Sequence, residues 1–209
     1  MSLRRRFLAI ASLATVIAVS SALAGGSAFA GQPVTQALTP PPPSFYTCMA
    51  VGSGTICMGT LTESVGPEET GLVCGSGASA FHAFDSFSLI ERAARYYDRD
   101  GNLTRRVLHD SISGQLINPL TGTSVPYTQR ETHTTVLPDP GDFSTATTTH
   151  TGVLIFTIPH LGPVALEAGR VIEGPDGIEF RAGPQDFVDY YENGDTSGVQ
   201  ELCRALGAT

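Results

Sequence analysis

Histidine and carboxylate side chains are the groups in this sequence best suited to chemistry, and they are scattered. His82, His109, His133, His150 and His160 sit on separate segments, so any site they build is assembled by the fold. Folding the chain back on itself about residue 120 sets His109 opposite Glu131, with His133 two residues further on the same face and Tyr127 within reach. A His, Glu, His group of this kind could bind a polar ligand, hold a metal ion, or supply a general acid and base. The competing reading is an outward-facing polar stripe, because a slip of one residue in strand register moves the whole set to the other face. A second candidate, for ligand binding, is the aromatic and basic patch of Arg92, Arg95, Tyr96 and Tyr97, set against the simpler reading of structural tyrosine pairs in a strand.

Other catalytic patterns are missing. The sequence holds no Gly-x-Ser-x-Gly elbow, and Gly75-Ser76-Gly77-Ala78-Ser79-Ala80 only mimics a dinucleotide fingerprint, since no βαβ unit surrounds it. Asp98-Arg99-Asp100-Gly101-Asn102 has alternating carboxylates, but in a calcium loop the twelfth position would be Val107 where a bidentate Glu is needed. A tight turn explains it. No cofactor and no metal are expected, and a zinc site on the cysteines is disfavoured because no Cys-x-x-Cys occurs.

The groups are positioned by a chain that reads as exported. Arg4, Arg5 and Arg6 precede an uncharged apolar run from Phe7 to Leu23, and Ala28-Phe29-Ala30 supplies a small-x-small cleavage site, placing the cut between Ala30 and Gly31. Sec export is favoured, with the twin-arginine route as the alternative suggested by Arg4-Arg5-x-Phe7-Leu8. Residues 1–30 are therefore the signal peptide, residues 31–44 with Pro40 to Pro43 a disordered leader, and residues 45–209 a single domain. The signal takes three of the twelve basic residues and none of the twenty acids, so the remainder carries a net charge of −11. That charge argues against nucleic acid or an anionic membrane surface as partner.

Export to an oxidising compartment turns Cys48, Cys57, Cys74 and Cys203 into two disulfides. Of three connectivities, Cys48 with Cys57 is preferred because Gly52-Ser53-Gly54 turns the chain between them, which leaves Cys74 with Cys203.

Turn signals recur at Gly52 to Gly54, Asp98 to Asn102, Asn118 to Gly122, Pro138 to Asp142, Pro159 to Pro163 and Gly174 to Gly177, with Thr- and Val-rich runs between them. Strands are expected over Ser124 to Leu137 and Phe143 to Ile158. Long consecutive strands curl to protect their edges, so the fold class is mainly β: an antiparallel up-and-down meander forming a small barrel or strongly coiled sheet. One C-terminal helix is expected, with Ser197 and Gln200 as a capping box, Val199, Leu202, Cys203 and Leu206 as its apolar stripe, and Gly207 as its stop.

Tyr96 to Thr104 resembles a single unit of the tyrosine-aspartate repeats of large secreted shell proteins. Taken with Gly52 to Cys57, Asn118 to Gly122 and the closing Leu-Cys-Arg-Ala-Leu, the sequence resembles a group of uncharacterised secreted proteins of actinobacteria. That resemblance implies a location and a source and brings no activity. The function expected is non-enzymatic binding of a small molecule or a protein outside the cell; the alternative is a secreted enzyme using His109, Glu131 and His133. The oligomeric state is left open.

Overall fold

The computed structural model describes residues 34–158 and 161–208, so the signal peptide, its cleavage site and His160 lie outside the described residues. Eight strands follow one another in a single sheet in sequence order: β1 (Tyr46–Val51), β2 (Gly54–Cys74), β3 (Phe81–Tyr97), β4 (Leu103–Ile117), β5 (Ser124–Val136), β6 (Thr147–Ile158), β7 (Gly162–Gly174) and β8 (Gly177–Ala182). Every neighbouring pair is antiparallel. The meander is a curled half-barrel, as the spacing of turn residues leads one to expect. Register shifts in β2 between Val65 and Glu68, and again between Glu69 and Val73, add residues to one side of the ladder and so bend it.

The turns form for local reasons. At the β3–β4 hairpin the Asp98 carboxylate accepts from the backbone N–H of Asp100 at 2.9 Å and of Asn102 at 2.8 Å, and Gly101 takes φ +85°. This Asx-type turn uses the Asp98 carboxylate, while that of Asp100 lies 3.7 Å from Arg99 Nε.

Two short helices close the chain: α1 (Asp186–Asn193) and α2 (Gln200–Ala205). The stripe of α2 is buried as its spacing dictates, with Val199, Leu202, Cys203 and Leu206 all inside. Its start differs from expectation. Val199 occupies the cap position and no side chain caps the helix; instead Asp195 accepts from the Ser197 N–H at 2.8 Å, so the turn before the helix is held one step earlier. Helix α1, not anticipated from the sequence, is only eight residues long and is stopped by Gly194 at φ +70°. Its Phe187 packs on Phe156 of β6 with ring centroids 5.2 Å apart.

The concave side of the sheet is plugged at both ends. At one end α1 and α2 lay Phe187, Val199, Leu202 and Leu206 over Leu116, Val125, Tyr127 and Phe156. At the other, Cys57, Tyr97, Leu103 and Leu137 gather with Leu38 and Tyr46 against them. Leu38 belongs to the segment expected to be a disordered leader, and for residues 34–44 that expectation is corrected. Thr39 donates its N–H to the Gly101 carbonyl and accepts from the Leu103 N–H, both at 2.8 Å, and the Tyr97 hydroxyl donates to the Pro40 carbonyl at 2.9 Å. Proline lacks the N–H a central strand needs, yet its carbonyl still accepts, and these hydrogen bonds together with Leu38 seat the segment on the β3–β4 turn.

Disulfides join Cys48 to Cys57 and Cys74 to Cys203, with sequence separations of 9 and 129. The chain-entropy model credits the longer loop with about 5 kcal/mol and the shorter with about 2.5 kcal/mol. Chemical denaturation should therefore show the Cys74→Ser/Cys203→Ser pair losing about twice the stability lost by Cys48→Ser/Cys57→Ser.

Candidate functional site

Between the two plugs the concave face is polar. Antiparallel register lines its side chains in rows across the strands. One row runs Glu91, Asp110, Glu131 and Gly152 over β3 to β6; the next runs Ala93, Leu108, His133 and His150; a third runs Arg95, Arg106, Thr135 and Thr148. Glu131, His133 and His150 meet where the first two rows adjoin.

Glu131 is the hub. Its carboxylate lies 3.1 Å from His133 Nε2 and 3.5 Å from His150 Nδ1, and it accepts from the Gln129 amide at 2.6 Å. The two imidazoles stand edge to face with centroids 4.6 Å apart. Asp110 adds a second carboxylate 3.4 Å from His133 Nε2, and Glu173 of β7 approaches His150 Nε2 at 3.9 Å. Side chains of Asp110, Glu131, His133 and His150 are 13–20% exposed, so the group is shielded without being sealed. Within it, Asp110 Oδ1 and His150 Nε2 are buried without a hydrogen-bond partner among the described residues.

Gly152 makes the approach possible. A Cβ there would stand 2.3 Å from the Arg130 carbonyl oxygen and 2.7 Å from Glu131 Cα. Any side chain at this position would push β6 away from β5 and separate His150 from Glu131.

The electrostatics follow from partial burial. Burial alone would raise Glu131, but hydrogen bonds from His133 and His150, together with their charge, hold its carboxyl far below the usual range. His133 is pulled down by burial, and the hydrogen bond and charge of Glu131, with the charge of Asp110, more than reverse that. Burial pushes Asp110 up despite His133.

The expected group is only partly assembled. His109 pairs with Thr132, not Glu131, and its Nδ1 lies 2.9 Å from the Thr132 hydroxyl on the convex face. The β4–β5 hairpin pairs Ile117 with Ser124, leaving six residues in the turn, so its centre falls half a residue beyond 120 and Asp110 takes the place assigned to His109. This removes the His109, Glu131, His133 arrangement on which the enzyme alternative rests. Tyr127 is also elsewhere: its hydroxyl donates to the Asp85 carboxylate at 3.0 Å among the apolar residues of the helix end, and burial lifts Asp85 to about 6.

The patch at Arg95, Tyr96 and Tyr97 is divided between faces. Tyr97 is buried, Tyr96 lies under the Arg105 guanidinium of the convex face at 4.9 Å, and Arg95 points into the hollow over the Tyr46 ring at 5.3 Å. His150, Asp110 and Gln129 were not singled out by sequence reasoning. The turn at Gly141, with φ +85°, was the usable sign, because a hairpin centred beside it sets His150 opposite His133.

Below the histidines, Glu167 of β7 turns toward α1 and accepts from the Val188 N–H at 2.8 Å. Burial lifts its carboxyl from 4.5 to about 7. The folded protein thus keeps a proton that the unfolded chain has released, and stability falls as pH rises through that window. Glu167→Gln should flatten the dependence: between pH 5 and pH 8 the wild type should lose about 5 °C or more of melting temperature that the variant retains, read by thermal melts.

No family model, curated protein or solved structure matches this chain, so what the hollow does has to be read from its own residues.

Proposed function

We propose that this chain is an exported, non-enzymatic binding domain whose hollow takes a divalent transition-metal ion between Glu131, His133 and His150. One observation carries the reading: two imidazoles converge on one carboxylate, with a donor atom from each of the three within 4.8 Å of the others. Two nitrogens and an oxygen are a donor set that suits zinc and its neighbours. Metal bonds of 2.0–2.1 Å at tetrahedral angles require donor atoms about 3.4 Å apart. His133 meets one oxygen of Glu131 at 3.1 Å and His150 meets the other at 3.5 Å, and one donor atom from each residue lies within 4.8 Å of the others, so binding asks for the donors to draw together without a change of strand pairing.

Surrounding groups support the same reading. Gln129 donates to the Glu131 carboxylate and would fix its orientation, and Asp110 faces the same His133 nitrogen as Glu131 does, so its negative charge would lie on the ion's side of the imidazole. The acidic balance of the chain favours cations over anions near its surface. Both disulfides fit life outside the cell, which is where the signal-like N-terminus would deliver the chain.

Tag-free protein with both disulfides intact should bind one Zn²⁺ or Co²⁺ per chain in equilibrium dialysis, and the Co²⁺ form should show the absorption of a tetrahedral site. His133→Ala and His150→Ala should each weaken binding by at least tenfold, while His109→Ala leaves it unchanged. Binding that survives loss of both His133 and His150, or no binding by the wild type, would overturn the reading.

A further inference from the structure

The third row of the hollow brings two positive charges together. Arg95 on β3 and Arg106 on β4 are direct partners in the ladder and share the concave face. Like charges placed opposite each other in an antiparallel pair repel. An acid between them would be the ordinary remedy, but the arginine ion pairs among the described residues belong to Arg99, Arg181 and Arg204.

The donors of the pair are poorly used. Nε of Arg95 and Nε of Arg106 are both buried without a hydrogen-bond partner among the described residues. Arg95 is held in place by the Tyr46 ring beneath it and by a contact of 3.4 Å from its Nη1 to the Pro41 carbonyl. Arg106 has no hydrogen bond or ion pair with a described residue. Burial and the neighbouring Arg95 push it down, and this outweighs the opposing pull of Tyr46, Glu91 and Asp110. Buried guanidinium donors left unsatisfied cost free energy, and a fork of N–H groups matches the two oxygens of a carboxylate or phosphate. Beside Arg106 the row continues with the Thr135 and Thr148 hydroxyls, 3.0 Å apart, which extend the polar lining.

We propose that Arg95 and Arg106 form a subsite for an oxyanion group, a carboxylate or a phosphate, carried by a small ligand lying in the hollow. The subsite uses residues distinct from Glu131, His133 and His150, and it stands whether or not those three hold a metal.

The test is an NMR titration of the arginine Nε–H signals in tag-free protein freed of metal on a chelating resin, so that the histidine cluster is empty and no soluble carboxylate chelator is present. Inorganic phosphate and acetate are added separately, each against sodium chloride at matched ionic strength. Saturable shifts of the Arg95 and Arg106 signals with phosphate, acetate or both are the expected result, and the stronger of the two identifies the oxyanion. Arg106→Lys, which keeps the charge but loses the fork, should weaken the response at least tenfold at Arg95. Shifts that follow ionic strength alone, or a response at Arg95 unchanged in Arg106→Lys, would overturn the proposal. The wild-type titration decides the matter even if the variant is poorly folded.

Discussion

The bond between Cys74 and Cys203 holds the molecule's interior together. A curled sheet has a concave face that its own strands leave bare, and here the cover at one end is two helices of eight and six residues. Helices that short are not stable alone in water. Their place is set by tertiary contact, and the disulfide anchors α2 to the end of β2 so that Val199, Leu202 and Leu206 stay over Leu116 and Phe156. At the opposite end, the segment around Leu38 and the Cys48–Cys57 bridge serve the same purpose.

With both ends closed by apolar residues, the middle of the hollow is a sheltered strip in which charge counts for more than it does on an open surface. The strip is ordered by sign. Carboxylates and histidines occupy the rows of Glu91 and Ala93, and guanidinium groups occupy the row nearest the Leu38 end. Arg106 and Asp110 are four residues apart on the same face of β4, about 13 Å along the strand, so a ligand of about that length would meet both kinds of partner.

Much of the fold was legible because turns and alternation are local properties. Gly52, Gly101, Gly122, Gly141 and Gly177 all have positive φ in or beside the turns between strands, and residues that tolerate it are conspicuous in a sequence. The site was less legible because it depends on parity. Whether residue 109 or 110 faces Glu131 turns on whether the hairpin between them holds an odd or even number of residues, and Asn118-Pro119-Leu120-Thr121-Gly122-Thr123 suits either reading. Helix α1 escaped notice for a different reason. Its apolar positions, Phe187, Val188, Tyr190 and Tyr191, are interleaved with acids in a segment too short to display helical period, and packing on β6 and β7 decides its conformation.

A meander that pairs each strand with the next can zip from any hairpin, since each strand needs only the one beside it in sequence as its partner. The contacts that cross the order are those of the leader on the β3–β4 turn and of the helices on the far end of the sheet. Loop-closure entropy delays such contacts until the strands are in register. The sheet is thus the template onto which its own lid is laid.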